Sequence, residues 1–192
     1  MSNSVNNVVV GKPLVTGGIS VAPLGTTLPT DATSALDPAF TGVGYITDNG
    51  VTKGEKRNTG TIAAWGGDTI AATKKGMDVT VKLAMAELLN KIVQGLIYGD
   101  ANVTVTPATL TKGNLMKVTG TSAPTPKKVW VIDVFSDDAR VRVVFPCAKV
   151  MDVGDTTYKD DAIAAADATL QAFPINGDYF YQYSDDGQLL SA

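Results

Sequence analysis

The stretch KKVWVIDVFSDDARVRVVFPCAKV, residues 127–150, decides how the rest of the chain is interpreted. Two runs rich in Val, Ile, Phe and Trp flank a polar tetrad at 136–139, which is the pattern of two strands joined by a tight turn. With Asp137-Asp138 at the tip, the alternation of side chains sets an antiparallel register. One face then carries three apolar pairs that we expect in the core: Val134 with Val141, Ile132 with Val143, and Trp130 with Phe145.

The opposite face of this hairpin mixes charged and apolar side chains. It pairs Phe135 with Arg140, Asp133 with Arg142, and Val131 with Val144. Such a face is too apolar for a plain solvated surface. Two interpretations are open: a loop of the same chain covers it, or it meets another subunit or lines an enclosed space.

The composition predicts a single domain over residues 1–192 that hides much of its surface in an assembly. Charged residues make up 18% of the chain, below the roughly 25% of typical globular proteins. The mean hydropathy is +0.09, yet no run approaches the ~20 apolar residues of a membrane span. A net charge of −3 and a pI near 4.8 argue against gripping nucleic acid through its phosphates.

Residues that commonly carry catalysis are scarce in this chain. It has no histidine, which removes Ser-His-Asp triads, histidine general bases and histidine metal ligands. Cys147 alternates with Phe145 and Val143, so we interpret it as a buried small hydrophobe. Four aspartates at 151–161 lack the spacing of a calcium loop and predict a solvated acidic loop. We therefore expect no enzymatic activity, no cofactor and no metal.

The single cysteine also bears on where the chain folds. It excludes an intrachain disulfide, and the N-terminal residues lack the pattern of a signal peptide. We therefore expect folding in a reducing cytoplasm.

Residues 1–40 predict an extended N-terminal region. Residues 1–12 are polar and predict a mobile start, and 13–23 (PLVTGGISVAP) predicts a strand broken by Gly17-Gly18. Residues 24–40 have no helical or strand period, which is uncommon in a compact domain unless the segment has a role. They form either a surface loop or an arm laid across a neighbour. The arm is suggested by four apolar side chains without a strand of their own: Leu24, Leu28, Leu36 and Phe40.

Two turns and a charged stretch follow the arm. Asp48-Asn49-Gly50 has the composition of a hairpin turn, and Gly66-Gly67-Asp68 that of another. The run KGEKRN at 53–58 predicts a solvated loop between them.

One helix is predicted. Residues 77–83 (MDVTVKL) alternate as a strand, and residues 84–98 carry an apolar stripe at helical spacing. Gly99 is well placed to end this helix. The stripe is wide enough for core packing and consists of Met85, Leu88, Leu89, Ile92, Val93 and Leu96.

The C-terminal half predicts further strands. Residues 101–120 predict one or two short strands interrupted at Pro107. Residues 162–171 have helical propensity, although 169–174 is strand-like. A turn at 177–178 precedes an aromatic strand at 179–183 and a polar tail at 184–192. The segments together predict a mainly β (α+β) fold, a two-sheet sandwich carrying one packed helix.

Several segments, taken in order, give the chain a specific family resemblance. They are GKPLVTGGISVAPLGTTLPTD at 11–31, LDPAFTGVGYITDNGVT at 36–52, IAAWGGDTI at 62–70 and DVTVKLAMAELLNKIVQGLIYG at 78–99. In this combination the chain resembles the major tail tube proteins of long-tailed, non-contractile phages, especially phages of actinobacteria. The basic run at 53–57 departs from the more acidic stretch expected in that family.

The resemblance implies a tail tube fold, in which subunits close into hexameric rings that stack into a hollow tube. Part of each subunit's sheet then joins its neighbours in one barrel around the lumen, and residues 162–171 form a strand. The implied function is structural: a conduit in the virion tail that houses the tape-measure protein and passes genomic DNA into the host. The implied partners are other copies of the chain, the tail terminator and distal tail proteins, with synthesis in the host cytoplasm.

On this interpretation the mixed hairpin face is an assembly surface, and the arm and the loop at 48–57 clamp adjacent subunits or rings. The basic run 53–57 could pair with the acidic loop 151–161 of the next ring, and a lumen acidic on balance would let DNA slide. The candidate interface residues are Leu24, Leu28, Leu36, Phe40, Asp48, Lys53, Lys56, Arg57, Phe135, Arg140 and Arg142.

Two alternatives stay open at this point. One is a monomeric, surface-displayed β-sandwich that binds carbohydrate or a receptor, with the aromatic cluster at 179–183 as its platform. The other is a tail terminator or secretion-tube relative that shares the fold but makes a single ring.

Overall fold

The computed structural model describes residues 8–9, 11–13 and 18–188. Predictions for 1–7, 10, 14–17 and 189–192 lie outside the described residues; they include most of the polar start, Gly17 and the end of the polar tail. The strands are β1 (Lys12–Pro13), β2 (Ile19–Pro23), β3 (Thr41–Gly42), β4 (Ile46–Ala63), β5 (Thr69–Met85), β6 (Val103–Thr106), β7 (Leu115–Val118), β8 (Lys128–Ser136), β9 (Ala139–Val153), β10 (Ala166–Ala172) and β11 (Tyr181–Asp185). The helix is α1 (Lys91–Tyr98), and a 3₁₀ turn spans Asp100–Asn102.

The hairpin at 127–150 is formed by β8 and β9, and its register is confirmed. Asp137 and Asp138 form the turn, and Asp137 takes a positive φ of 52°, which aspartate tolerates better than most residues. The register is specified because a one-residue slip would exchange the apolar face for the mixed one. The predicted cross-strand pairs are present: Val134 with Val141, Ile132 with Val143, Trp130 with Phe145, Phe135 with Arg140, Asp133 with Arg142, and Val131 with Val144.

Nine strands form one antiparallel sheet in the order β3-β2-β8-β9-β10-β5-β4, with β1 beside β8 and β11 beside β9. β9 pairs with β8 along one edge. Its other edge is divided between β11, near the hairpin turn, and β10, near its end. β6 and β7 form a separate two-stranded sheet. The described residues are therefore mainly β, as predicted, without a closed barrel.

The large sheet curls strongly. β4 and β8 are four positions apart in its order, so a flat sheet would separate them by roughly 19 Å. Val51 of β4 and Ile132 of β8 nevertheless line the same cavity of about 240 Å³. Lys53 Nζ of β4 also lies 3.3 Å from Gln182 Oε1 of β11. One curled sheet, rather than two separate ones, supplies both sides of the core.

The apolar face of the hairpin lies in this core, as predicted. Trp130 and Phe145 are fully buried beside Met85 of β5 and Leu170 of β10. Helix α1 closes the core with the buried side chains of Val93, Leu96 and Ile97. Cys147 is also buried, in agreement with its interpretation as a small hydrophobe.

The helix begins at Lys91 rather than at residue 84, because β5 extends to Met85 and residues 86–90 connect it to the helix. Ala84 and Met85 pair with Asp167 and Ala166 of β10, so the strand continues through them. The backbone pairing of two neighbouring strands outweighs the small differences in helix propensity. The N-terminal half of the predicted helix is therefore wrong.

Both ends of α1 are set by specific residues. Asn90 caps the first turn, since its Oδ1 accepts a hydrogen bond from the N–H of Ile92 at 2.9 Å. Gly99 ends the helix, as predicted, with a φ of 91°. Leu89 lies before the cap and is 93% exposed, so its assignment to the buried stripe was wrong.

Residues 46–63 form one long strand, where the sequence predicted a turn at 48–50 and a loop at 53–58. Residues 47–50 bulge out between Ile46 and Val51, so the turn-forming DNG bends the strand without ending it. The charged run pairs residue by residue with β5, from Lys53 opposite Val81 to Asn58 opposite Gly76. The turn at Gly66-Gly67 is confirmed, with positive φ at both glycines.

The remaining segments follow the sequence with small shifts of boundary. Residues 24–40 carry no strand or helix, and β6 and β7 are the two short strands predicted on either side of Pro107. The strand that the resemblance implied at 162–171 is present as β10, which begins only at residue 166, so 162–165 lie before it. The aromatic strand is β11, displaced to Tyr181–Asp185. The aspartates of 151–161 are exposed, and Asp152 belongs to β9.

Truncating Phe145 tests the core at its centre. Phe145→Ala should lower the free energy of unfolding of the unassembled chain by about 3–5 kcal/mol, because it leaves a cavity among fully buried side chains. Tyr158→Ala is the matched control, since Tyr158 is an aromatic residue that is 79% exposed, and should change it by less than about 0.5 kcal/mol. Urea denaturation measures both, and similar losses for the two variants would contradict this core.

Candidate assembly surfaces

The centre of the mixed hairpin face is an ion pair. Arg142 Nε donates to Asp133 Oδ1 at 2.6 Å, and Nη2 donates to Oδ2 at 3.3 Å. The remaining nitrogen, Nη1, donates to the backbone carbonyls of Ser34 at 2.8 Å and Asp31 at 3.2 Å. Arg142 is only 6% exposed, and a charge this deeply buried needs its donors satisfied. The N-terminal arm supplies the acceptors.

The arm presents those carbonyls through a local turn at Asp31. The Asp31 carboxylate accepts hydrogen bonds from the backbone N–H groups of Ser34 and Thr33, which hold the pKa of Asp31 below its usual value. Ala32, within this turn, is 6% exposed. The turn thus directs backbone oxygens towards Arg142 while it buries a methyl group.

The mixed face is therefore covered in part by a loop of the same chain, which is the first of the two interpretations. Val131 and Val144 are fully buried. Phe135 is half-buried and Arg140 exposed, with its guanidinium 5.4 Å from the centre of the Phe135 ring. Leu28, Leu36 and Phe40 of the arm are half-buried, and Leu24 is 47% exposed. An interface role for these residues stays a prediction.

Lys53 is held inside its own subunit. Its Nζ lies 2.9 Å from Glu55 Oε1 and 3.9 Å above the centre of the Phe180 ring. Phe180 in turn lies 6.0 Å from Phe145, centre to centre. Lys53 therefore joins β4 to the segment before β11, in addition to any contact that it makes with another copy.

The other charged candidates on β4 are exposed. Asp48 lies in the bulge, and Lys56 and Arg57 point to opposite faces of the strand because they are consecutive. Lys56 shares a face with Asp78, its partner on β5. Arg57 lies on the face that carries Lys53 and Glu55.

Strands β9, β10, β5 and β4 together present a polar face away from the core. The core side carries Val150, Leu170 and Val81, and the alternating residues on the other side are exposed or half-buried. Rows of paired residues cross the four strands on this side: Asp152, Thr169, Lys82 and Thr52 in one row, and Lys149, Gln171, Thr80 and Gly54 in the next. We call these rows, extended by Asp167, Asp78, Lys56 and Asn58, the polar face.

The same four strands have two open edges. β4 pairs only with β5, so within the described residues the backbone groups along its other edge have no strand partner over an 18-residue strand. β9 extends beyond β8, whose last pair is Lys128 with Ala148. Residues 149–153 of β9 consequently pair with β10 alone, apart from a hydrogen bond that the Thr125 hydroxyl donates to the Val150 carbonyl.

No group of side chains that could hold a metal occurs within the described part of the chain. Across the same residues, no helix is both long and apolar enough to cross a membrane. The described residues instead provide two open strand edges and a polar face as candidate assembly surfaces.

The sequence matches the family model described as phage tail tube protein over residues 1–186. The chain belongs to the phage tail tube protein family. It is accordingly a structural protein of the phage tail, as the resemblance of its motifs indicated. No curated protein matches it. Among solved structures it is similar to the cryo-EM structure of the anti-feeding prophage cap (AFP tube terminating cap), with 12% identity and a TM-score of 0.45 over 96% of this chain and 100% of that chain.

The open edges and the polar face of this tail tube family member were not found by sequence reasoning. The alternation of MDVTVKL at 77–83 was a usable signal, because its polar residues Asp78, Thr80 and Lys82 lie on the polar face. The extension of β9 past β8 has no sequence signal, since it depends on where β8 begins.

Removing Arg142 tests the attachment of the arm. Arg142→Met leaves the Asp133 carboxylate with no cation and the arm without its donor, so we expect a loss of about 3–5 kcal/mol in the free energy of unfolding. Thermolysin should then cleave at Leu28 and Leu36 at least tenfold faster. Arg140→Met, two residues away in the same strand and exposed, is the control and should change stability by about 1 kcal/mol or less. Equal cleavage of the Arg142→Met variant and the unmodified chain would contradict the attachment.

Proposed function

We propose that copies of this chain pair side by side into closed hexameric rings, and that the rings stack into the hollow tube of a phage tail. The tube houses the tape-measure protein during assembly and conducts genomic DNA during infection. The observation that carries this proposal is the four-stranded segment β9-β10-β5-β4, which has two open edges and one polar face.

The open edges support pairing between copies. A long strand with unpaired backbone groups is an aggregation hazard, which natural proteins shorten, cover or pair. β4 is long and, among the described residues, has no strand partner along its outer edge, so a neighbouring strand is its natural partner. In the proposed ring, β4 of one copy pairs with residues 149–153 of the next copy. Such a contact uses two different edges and closes a ring when the rotation between copies allows it.

The dimensions of such a ring suit a conduit. Six copies would contribute about 24 strands to one barrel, whose backbone diameter is on the order of 45 Å for ordinary strand spacing and tilt. The core and α1 lie on the outside of this barrel, and the polar face lines the channel.

The proposed lining is neutral rather than acidic. Its three lysines, Lys56, Lys82 and Lys149, are offset by the three aspartates Asp78, Asp152 and Asp167. Lys56 lies opposite Asp78, so no continuous track of positive charge forms along the strands. DNA affinity depends on the number of phosphates that Lys and Arg neutralise together. A lining of mixed sign therefore lets DNA pass without holding it, which revises the acidic lumen expected from the net charge.

Terminator, distal tail and tape-measure proteins are the proposed partners of the assembled tube. For the alternative of a monomeric module that binds carbohydrate, Phe180 is the least suited member of the aromatic cluster at 179–183, because it packs between Phe145 and Lys53. A single-ring terminator is an outcome of the experiment below.

Electron microscopy of the concentrated, purified chain tests the proposal. We expect hollow tubes from the unmodified chain. Reversing Lys56 and Arg57 to glutamate should reduce tube yield at least tenfold, because the proposed pairing sets the edge of β4 that carries them, Lys56 on the polar face and Arg57 on the other, against the end of β9 and the loop that carry Asp152 and Asp155. Reversing both aspartates to lysine in the same chain should restore it. Lys53 is left unchanged because its partners lie in its own subunit.

The matched control is Lys112→Glu with Lys117→Glu, two charges on the small sheet and its connection that should not affect the tubes. Isolated rings that never stack would identify a terminator instead. A chain that stays monomeric at the highest concentration reached would contradict the proposal.

A further inference from the structure

The hairpin of β4 and β5 projects beyond the core as a two-stranded ribbon. Over residues 59–75 nearly all side chains are exposed, and among the described residues its strands pair only with each other. An isolated two-stranded ribbon is marginally stable in water and needs a third strand or a packed layer. The ribbon therefore leaves its faces and outer edges open to contacts with another copy.

The tip of this ribbon is apolar. Trp65 is fully exposed, Ile70 is 66% exposed and Ile62 is 48% exposed. The turn beneath Trp65 is well formed, because the N–H of Ala64 donates to the carbonyl of Asp68 at 2.7 Å. A fully exposed tryptophan at the tip of a hydrogen-bonded turn, with exposed isoleucines in the two flanking strands, is typical of an interface anchor.

A cavity lies at the other end of the same strands, next to the start of α1. β5 runs for 17 residues from the tip to Met85, about 50 Å, and α1 begins shortly afterwards. Between α1 and β2 is a cavity of about 350 Å³. Its lining combines apolar Val21, Ile92 and Leu96 with two cations and one carboxylate, those of Lys91, Lys128 and Asp100.

The two cations of the cavity differ in their availability. Lys128 Nζ is paired with Asp100 Oδ2 at 2.8 Å. Lys91 is exposed at the start of α1. The tip carries the exposed carboxylate of Asp68, so tip and cavity are complementary in charge as well as in polarity.

We propose that Trp65 of one copy docks into this cavity of the next copy along the strand direction, with Asp68 beside Lys91. The inference rests on the proposed function, since the occupant is a second copy of the chain. Because tip and cavity lie at opposite ends of the subunit, the contact is head-to-tail and repeats without closing. This head-to-tail contact stacks one ring on the next, whereas pairing between the strand edges closes each ring. The lysines around the cavity add a favourable interaction with the indole face.

Truncation of the tip is the first test, with rings and tubes counted by negative-stain microscopy and sedimentation velocity. Trp65→Ala should lower tube yield at least tenfold and leave isolated rings, and Trp65→Phe should retain part of the yield. Leu110→Ala is the matched control, because Leu110 is equally exposed but lies on the connection between β6 and β7. It should form tubes as the unmodified chain does.

A charge exchange tests the identity of the partner site. Asp68→Lys alone and Lys91→Glu alone should each lower tube yield several-fold, and the chain that carries both should recover it, because each tip then meets the reversed charge on the next copy. A double variant no better than the single variants would overturn the docking site.

The outcomes also separate this inference from the proposed function. Normal tubes from Trp65→Ala would overturn the docking and leave ring formation by strand edges intact. The absence of rings from every variant and from the unmodified chain would overturn the proposed function, and the docking with it.

Discussion

Strand β9 is longer than the partner that covers one of its edges, and this mismatch determines where the sheet is closed and where it is open. β9 has 15 residues and β8 has nine. Near the hairpin turn, β9 pairs with β8 on one side and with β11 on the other. Its Arg142 forms the buried ion pair with Asp133 of β8. Past Ala148 it is paired by β10 alone. The closed half of β9, up to Ala148, binds the arm through Arg142, and the open half, residues 149–153, has one edge without a strand partner among the described residues.

The arm and the open edges have opposite roles in the same subunit, because the arm covers part of the sheet and the open edges leave part of it available for pairing. Arg142 attaches residues 31–34 to the closed half, so the subunit keeps its mixed face covered before assembly. The open half cannot be covered in this way if it is to pair with a neighbour. Its polar face tolerates water until then, because lysine, aspartate and threonine alternate there instead of apolar side chains.

The parts of the fold that could be predicted are those where local pattern and tertiary contacts agree. The β8–β9 register is determined by its own two faces. The helix start was not predictable, because residues 84–85 suit a helix as well as a strand and only pairing with β10 decides between them. The strand at 46–63 was missed because DNG signals a turn and because the strand buries few side chains in its own subunit. The contact of Arg142 with Asp31 and Ser34 joins residues more than 100 positions apart, and no local signal marks it.

Membership of the tail tube family and the two open edges of the sheet lead to one central claim: strands of neighbouring copies continue each other's sheet around a channel. A near-atomic reconstruction of the assembled tube tests it most directly. The account predicts backbone hydrogen bonds between β4 of one copy and residues 149–153 of the next, with Lys82, Asp152 and Asp167 facing the channel. A tube in which both edges remain unpaired, or in which these three side chains face outward, would contradict it.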